Sequence, residues 1–229
     1  MFTRFSVVVA LLFALSLSAL GQGFGLQVAD TAGPGNAGAM RVTAGLVMGK
    51  FADSDVSFYG ARYTYVALES LSVFGDVGAV KLEDPFEVSP SFQVGALYSL
   101  PIDTLPVDLG LRGTLFKPLI KDVTEDGVDL ELSVWGMSFM LVGSGCLEAA
   151  PELSLYGGIG AVYWEAEWRS GAGIPPEDDI HFQAISKDSD TEFALTAGAL
   201  YQLDDAWSVY GEASYIDDMF FGAGVRLDF

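Results

Sequence analysis

Apolar residues alternate with small or polar residues along most of this chain. In the first such run, every second position carries an apolar side chain: Met40, Val42, Ala44, Leu46 and Met48. A period of two places the two sets of side chains on opposite faces of a β-strand. Nine further runs follow, at residues 59–65, 71–79, 92–100, 107–115, 135–141, 153–163, 193–201, 207–215 and 219–229. The pattern predicts ten strands.

One run departs from the simple alternation. The apolar positions Trp135, Met137, Phe139 and Leu141 are odd-numbered, whereas the preceding Leu130 and Leu132 are even-numbered. A change of parity within one strand is typical of a β-bulge, which inserts an extra residue. We therefore expect either a bulge here or a strand that begins after Leu132.

The connections between the runs alternate between two kinds. One set is mostly short, at residues 68–70, 101–106, 143–151 and 204–206. The other set lies at residues 51–55, 83–90, 118–129, 166–190 and 217–218, and two of its members are long and acidic. Short periplasmic turns and longer extracellular loops, with an even strand number, are typical of outer-membrane barrels. The expected fold is all-β: a single closed antiparallel up-and-down transmembrane β-barrel with ten strands, eight being the alternative.

The second face of each strand favours a membrane barrel over a soluble one. Glycine, serine, alanine and threonine dominate that face, as at Gly95, Ser99, Gly110, Thr114, Gly158, Gly198 and Ser214. Small residues suit the crowded interior of a narrow barrel, which leaves the apolar face for lipid. Aromatic residues on the apolar face also fall near the two strand ends, where membrane interfaces favour them.

The N-terminus has the features of a secretory signal peptide. Arg4 supplies a positive charge, a mostly apolar stretch covers residues 5–20, and Ala19-Leu20-Gly21 forms a small-x-small cleavage site. A retained membrane anchor is the alternative, although the serine-diluted stretch falls short of a helical span. The expected organisation is a signal peptide at residues 1–21, a flexible periplasmic leader at residues 22–37 and an outer-membrane barrel at residues 38–229.

Charge and cysteine content narrow the possible functions. The net charge of −20 argues against nucleic-acid binding, which needs a basic surface. Cys146 is the only cysteine, so the fold has no internal disulfide. No motif for a cofactor or a catalytic group stands out, and we expect neither.

Charged residues on the inward face of the strands are few. They are Arg41, Arg62, Asp76, Asp108, Arg112, Glu212, Arg226 and Asp228. A hairpin centred on Glu69 would place Arg62 directly opposite Asp76, and cross-strand pairs of opposite charge stabilise a sheet. We expect a charge network in the lumen, formed by Arg62, Asp76, Asp108, Arg112 and Glu212. It would act as a salt-bridged filling of the interior, with a gate or selectivity filter as the alternative.

The long acidic loops hold the other candidates for chemistry. His181 is the only histidine, and a general base needs a partner within hydrogen-bond reach, which the sequence does not supply. The loop acids are Asp122, Glu125, Asp126 and Asp129 in one loop and Glu177, Asp178 and Asp179 in another. Oxygen ligands of this kind suit divalent cations, although the spacing matches no calcium loop. Solvated loops, with divalent cations as optional partners, are the expectation.

The last strand carries a resemblance to a known superfamily. Residues 219–229, Met-Phe-Phe-Gly-Ala-Gly-Val-Arg-Leu-Asp-Phe, alternate and end on Phe229. This segment resembles the terminal strand of bacterial outer-membrane β-barrel proteins, and the general likeness is to the small OmpA-like and OmpX-like barrels, which have eight strands. The resemblance implies residence in the outer membrane among its lipids and recognition of Phe229 by the barrel-assembly machinery.

Three functions remain open from the sequence. The expected one is a non-enzymatic outer-membrane protein with a structural or surface-interaction role through its extracellular loops. A narrow porin-like channel for small solutes is the second. A membrane-embedded hydrolase or acyltransferase that uses His181 is the third.

Overall fold

The structure is a computed structural model. It describes residues 25, 26, 28, 30–51, 54–82, 88–102, 104–125, 128–172, 183–216 and 218–229. The predicted signal peptide therefore lies outside the described residues. Within the described part of the chain, no helix is long and apolar enough to cross a membrane.

Eleven strands follow one another along the chain. They are β1 (Met40–Phe51), β2 (Ser54–Leu68), β3 (Leu71–Leu82), β4 (Ser89–Leu100), β5 (Asp108–Pro118), β6 (Val123–Glu125), β7 (Val128–Leu147), β8 (Ala150–Ala172), β9 (Gln183–Gln202), β10 (Trp207–Ile216) and β11 (Asp218–Asp228). Their order in the sheet is β5-β4-β3-β2-β1-β11-β10-β9-β8-β7-β6, and β5 also pairs with β7. All of these pairings are antiparallel.

The β5–β7 pairing closes a barrel of ten strands, with the three-residue β6 outside the ring. The first and last strands meet at a seam that runs from the pair Arg41–Asp228 to the pair Met48–Phe221. Every strand of the ring therefore has two neighbours. A sheet in lipid needs this closure, because a free sheet edge would leave backbone groups without hydrogen-bond partners. The prediction of ten strands is confirmed, and the alternative of eight is wrong.

The outer face of the barrel is apolar. Val77 is 57% exposed, Val94 is 56% exposed and Phe139 is 60% exposed. On the opposite face of β4, Ser91 and Gln93 are buried in the interior. This arrangement inverts the pattern of a soluble barrel and confirms the expectation that the apolar face meets lipid.

Exposed aromatic side chains lie at two levels on this outer face. Tyr65, Tyr98, Tyr201 and Trp207 lie near the end that carries the short turns. Tyr59, Phe92 and Phe193 lie toward the opposite end. We call the short-turn end periplasmic and the other end extracellular, following the usual orientation of such barrels.

Two expectations about strand bounds are wrong. Strand β7 contains no bulge opposite Leu132, because its register with β8 runs without a shift from Val128 to Cys146. The parity changes because Leu132 and Val134 are apolar but face the interior, where they are buried. The stretch 166–190 is also not all loop, since β8 and β9 pair as far as Gly171 and Gln183.

The N-terminal segment differs most from expectation. Residues 22–37 were expected to form a flexible periplasmic leader, but Leu26, Val28 and Ala32 are fully buried inside the barrel and Asp30 is 7% exposed. The physical reason is that a ten-stranded ring leaves space along its axis, and this segment fills it with alternate side chains. We call the described residues 25, 26, 28 and 30–34 the luminal segment.

The luminal segment enters through the periplasmic end and joins β1 there. The amide of Gly35 donates to the carbonyl of Glu69 in the β2–β3 turn (3.0 Å), and the amide of Gly38 donates to the carbonyl of Val66 (2.8 Å). Gly38 has a φ of 90°, a left-handed conformation that favours glycine. The chain reverses at this glycine before β1 begins.

The inner wall pairs aromatic rings with glycines of neighbouring strands. A Cβ atom added at Gly78 would lie 2.6 Å from the Phe58 ring, and one added at Gly95 would lie 2.5 Å from the Phe74 ring. Tyr156 lies over Gly198 in the same way. The glycines of the second face thus provide the room that large inward side chains need in a narrow barrel.

Candidate functional site: the filled lumen

A buried ion pair lies at the centre of the site. The register of β2 and β3 sets Arg62 opposite Asp76. Arg62 Nε donates to Asp76 Oδ1 at 2.7 Å, and its Nη2 donates to Asp76 Oδ2 at 2.9 Å. Gln93 of β4 also donates to Asp76 Oδ2, at 2.9 Å. Each of these side chains is at most 2% exposed, so a bidentate, charge-assisted contact is sealed inside the barrel.

Arg62 and Asp76 also hold the luminal segment. The Leu26 amide donates to Asp76 Oδ2 at 3.0 Å. Arg62 Nη1 donates to the Val28 carbonyl at 2.7 Å, and its Nη2 donates to the Leu26 carbonyl. The pair therefore joins the barrel wall to the segment, and it satisfies backbone groups that would otherwise be buried without partners.

Arg112 lies beside this pair and contacts the same aromatic ring as Arg62. Its guanidinium carbon is 4.9 Å from the centre of the Phe74 ring, and that of Arg62 is 4.4 Å from the same centre. Both distances suit cation–π contacts. Phe74 thus shares its ring between two buried cations of the predicted network.

Glu212, on β10, belongs to a separate group of buried side chains. The Tyr156 hydroxyl donates to Glu212 Oε2 at 2.9 Å. Tyr210 is 5% exposed, and in the described part of the chain its hydroxyl has no hydrogen-bond partner. Glu212 therefore accepts a hydrogen bond from a buried phenol of β8.

Asp108 is the member of the predicted network that stands apart. It is exposed at the periplasmic start of β5. A Cβ atom added at Gly33 would lie 2.7 Å from Asp108 Oδ2, so its carboxylate lies against the luminal segment at the mouth. Among the described residues it forms no ion pair with the other four.

A second ionic group spans the seam between β1 and β11. Arg41 Nε lies 3.0 Å from Asp228 Oδ1, and Arg226 Nη2 lies 2.9 Å from the same oxygen. Asp30 of the luminal segment completes the group, with its Oδ1 at 2.9 Å from Arg41 Nη1 and 3.3 Å from Arg226 Nη1. We call these four residues the seam cluster.

The alternating pattern predicts the inward position of Arg41, Arg226 and Asp228, but the prediction of a flexible leader at residues 22–37 leaves Asp30 out. The sequence does contain a pattern that indicates the burial of Asp30. Leu26, Val28, Asp30 and Ala32 occupy alternate positions, the pattern of an extended segment with one buried face. A run this short, without a hairpin partner, is difficult to separate from an irregular leader.

The buried ionic groups balance in charge. Among the described residues, the buried charged side chains are Arg62, Arg112, Arg226, Asp30, Asp76 and Glu212. When all six side chains are ionised, they are three cations and three anions. Because unpaired charge is costly away from water, the third carboxylate, supplied by the luminal segment, completes the balance of the interior.

The predicted cation ligands lie partly outside the described residues, among them the acids Glu177, Asp178 and Asp179, and the candidate base His181 also lies outside them. In the described part, Asp122, Glu131 and Glu167 line a cleft of about 330 Å³ at the extracellular end, beside Lys117. No group of three or more acidic, histidine or cysteine side chains that could hold a metal is found there. Divalent cations as partners stay a prediction.

Comparison with solved structures decides the fold. The outer membrane protease OmpT from Escherichia coli is 10% identical, over 83% of this chain and 96% of that chain, with a TM-score of 0.50. The fold is that of a bacterial outer-membrane β-barrel. A closed ring with an apolar exterior is the form in which β-strands span a membrane, and the resemblance in the last strand is confirmed at the level of the fold.

Two further outer-membrane barrels match with lower TM-scores. The attachment invasion locus protein Ail of Yersinia pestis is 14% identical, over 85% of this chain and 100% of that chain, with a TM-score of 0.39. OprG from Pseudomonas aeruginosa is 12% identical, over 87% of this chain and 99% of that chain, with a TM-score of 0.38. No family model and no curated protein sequence matches the chain.

Proposed function

We propose that this chain is a closed, non-enzymatic outer-membrane barrel that acts through its extracellular surface. The observation that carries the proposal is the filled lumen. The luminal segment passes along the axis, and it hydrogen-bonds to Arg62, Asp76 and Ser144 from within. Buried aromatic and aliphatic side chains occupy the remaining interior. This filling of the described interior supports a barrel that is closed to solutes.

The extracellular side supports a role in surface contact. Strands β7, β8 and β9 have 20, 23 and 20 residues, whereas β10 has 10 and β5 has 11. At about 3.3 Å per residue, the longer strands extend well beyond the membrane as a three-stranded sheet. This extension contains seven acidic residues against two basic ones, namely Asp129, Glu131, Glu165, Glu167, Asp188, Asp190 and Glu192 against Arg169 and Lys187.

A non-enzymatic role is supported by how the described ionic groups are used. Asp76 accepts hydrogen bonds from Arg62, Gln93 and the luminal segment, and Asp30 is shared by two arginines. A general base needs a lone pair directed at a substrate proton, and these carboxylates direct theirs at the protein. The same proposal includes delivery by the barrel-assembly machinery through β11 and Phe229.

The closed state is tested on protein refolded into detergent. We expect a compact band that migrates faster before boiling than after it, and silent traces when the same sample is added to planar lipid bilayers. Steady conductance of the unmodified protein would contradict the closed state.

The surface role is tested by shortening the β8–β9 hairpin. Removing residues 168–188 leaves the ring pairings intact and takes away four acidic residues, Glu177, Asp178, Asp179 and Asp188, against two basic ones, Arg169 and Lys187. We expect vesicles that carry the intact barrel to bind fluorescent polylysine, and those with the shortened barrel to bind less at equal protein density. Equal binding would place the contact surface elsewhere.

A further inference from the structure

The luminal segment is attached to the barrel by side-chain contacts. Inside the lumen, its contacts include those of Leu26 and Val28 with Arg62 and Asp76, that of Leu26 with Gln93, that of Ala32 with Ser144, and those of Asp30 with Arg41 and Arg226. Among the described residues, backbone pairing with the barrel begins at the mouth, with Gly35 and Gly38. The segment adds no strand to the ring, so the ring stays closed without it.

Asp30 makes the strongest of these contacts that lie near the mouth. Its Oδ1 is within 3.3 Å of guanidinium nitrogens on both β1 and β11. Hydrogen bonds between ionised groups are roughly twice as strong as neutral ones. Asp30 therefore holds the segment at the level where it would have to move to leave the barrel.

We propose that the luminal segment is a releasable plug, that Asp30 is its latch, and that its release opens a path for small anions. The inference goes beyond the closed state proposed above and rests on it. A path of this kind is a transport activity that the resting barrel does not have.

The preference for anions follows from the buried charges. With the plug in place, three buried cations face three buried anions. When Asp30 leaves with the plug, four arginines of the barrel wall, Arg41, Arg62, Arg112 and Arg226, face three carboxylates, Asp76, Asp228 and Glu212. The excess positive charge lies in a narrow, poorly solvated channel, where it attracts anions more strongly than in bulk water.

The test compares four proteins in planar bilayers. They are the unmodified chain, Asp30→Asn, a deletion of residues 25–34, and Asp205→Asn as a matched loss of one exposed turn carboxylate. Asp30→Asn keeps the shape of the side chain and removes the charge. We expect the unmodified chain and Asp205→Asn to be silent. Asp30→Asn should open at least about tenfold more often, because a charge-assisted contact is lost, and the deletion should conduct continuously.

A covalent lock separates plug release from a general loosening of the barrel. In an Asp30→Asn and Cys146→Ser background, Ala32→Cys and Ser144→Cys place two thiols where the Ala32 amide now contacts Ser144 Oγ at 2.8 Å. Oxidation should silence the channel and reduction should restore it. In a salt gradient, the reversal potential of the open state should have the sign for chloride.

The outcomes are distinct. Conductance of the unmodified chain would overturn the closed state. If both the Asp30→Asn variant and the deletion migrate as folded barrels and stay silent, the plug inference is wrong although the closed state stands. Conductance in the deletion alone would overturn the role of Asp30, and a reversal potential with the sign for potassium would overturn the anion path.

Discussion

Arg62 and Asp76 face each other across β2 and β3, with Arg62 Nε 2.7 Å from Asp76 Oδ1 and both side chains buried. Removing one partner of such a pair leaves the other charge buried without a partner. Asp76→Asn should therefore lower the free energy of unfolding by about 3–5 kcal/mol, measured by urea titration of the refolded barrel.

The double variant Arg62→Gln with Asp76→Asn provides the control for this pair. It removes both charges and keeps groups that hydrogen-bond, so we expect it to be more stable than Asp76→Asn alone. A double variant that is less stable than the single one would mean that Arg62 contributes mainly through the carbonyls of Leu26 and Val28.

The second prediction concerns membrane depth. Val94 and Leu203 are similarly exposed, at 56% and 59%, but Val94 lies in the middle of β4 and Leu203 lies in a periplasmic turn. Val94→Arg should cost about 2–4 kcal/mol and Leu203→Arg about 0–1 kcal/mol, because the cost of a lipid-facing arginine depends on depth. Equal costs in a urea titration in lipid vesicles would argue against the assigned position of the membrane.

Gly60 on the inner wall and Gly75 on the outer face together test the packing of the interior. A Cβ atom at Gly60 would lie 2.5 Å from the Val77 carbonyl and 2.6 Å from the Phe58 ring, whereas at Gly75 the nearest atom is 3.8 Å away. Gly60→Ala should lower stability by about 1–3 kcal/mol through overpacking. Gly75→Ala should leave the urea midpoint nearly unchanged, and a similar loss in both variants would contradict the crowded-wall explanation.

Cys146 reports which end of the barrel faces the periplasm. It is an exposed free thiol near the short turn between β7 and β8. In intact cells, a maleimide reagent too large to cross the outer membrane should not label it, and should label it once the membrane is permeabilised. Asp55→Cys in a Cys146→Ser background places the thiol at the other end and should be labelled in intact cells. The reverse result would invert the orientation.

The β9–β10 turn should make stability depend on pH. The Asp204 Oδ1 accepts hydrogen bonds from the amides of Ala206 and Trp207, and these hydrogen bonds lower the pKa of Asp204. A carboxyl with a lowered pKa stabilises the folded state above its unfolded pKa, and the contribution is lost as the pH falls through the folded pKa.

The variant Asp204→Ala should therefore be less stable than the unmodified protein at neutral pH, and the difference should shrink on acidification. Asp205→Ala is the neighbouring exposed acid and provides the control. A difference between Asp204→Ala and the unmodified protein that stays constant with pH would exclude ionisation of Asp204 as its cause.

The sequence by itself determined the barrel. Alternation with a period of two shows which side chains share a face of the sheet. In lipid, the outward face must be apolar and the sheet must close into a barrel, because lipid offers no partners for free backbone groups. For that reason the ten strands, the inward position of Arg62 and the pairing partner of β2 could be read from residue order. Cross-strand register within a hairpin is a local property, set by the turn at Glu69.

Only the tertiary structure decided what fills the barrel. The position of Asp30 beside Arg41 and Arg226 joins residues that lie up to 196 positions apart, and no local pattern encodes a contact of that range. Leu132 faces inward despite its apolar side chain, because β7 keeps its register with β8 across its whole length. The luminal segment stays in place because the closed ring surrounds it with buried charges that need partners, a condition that exists only once all ten strands have met.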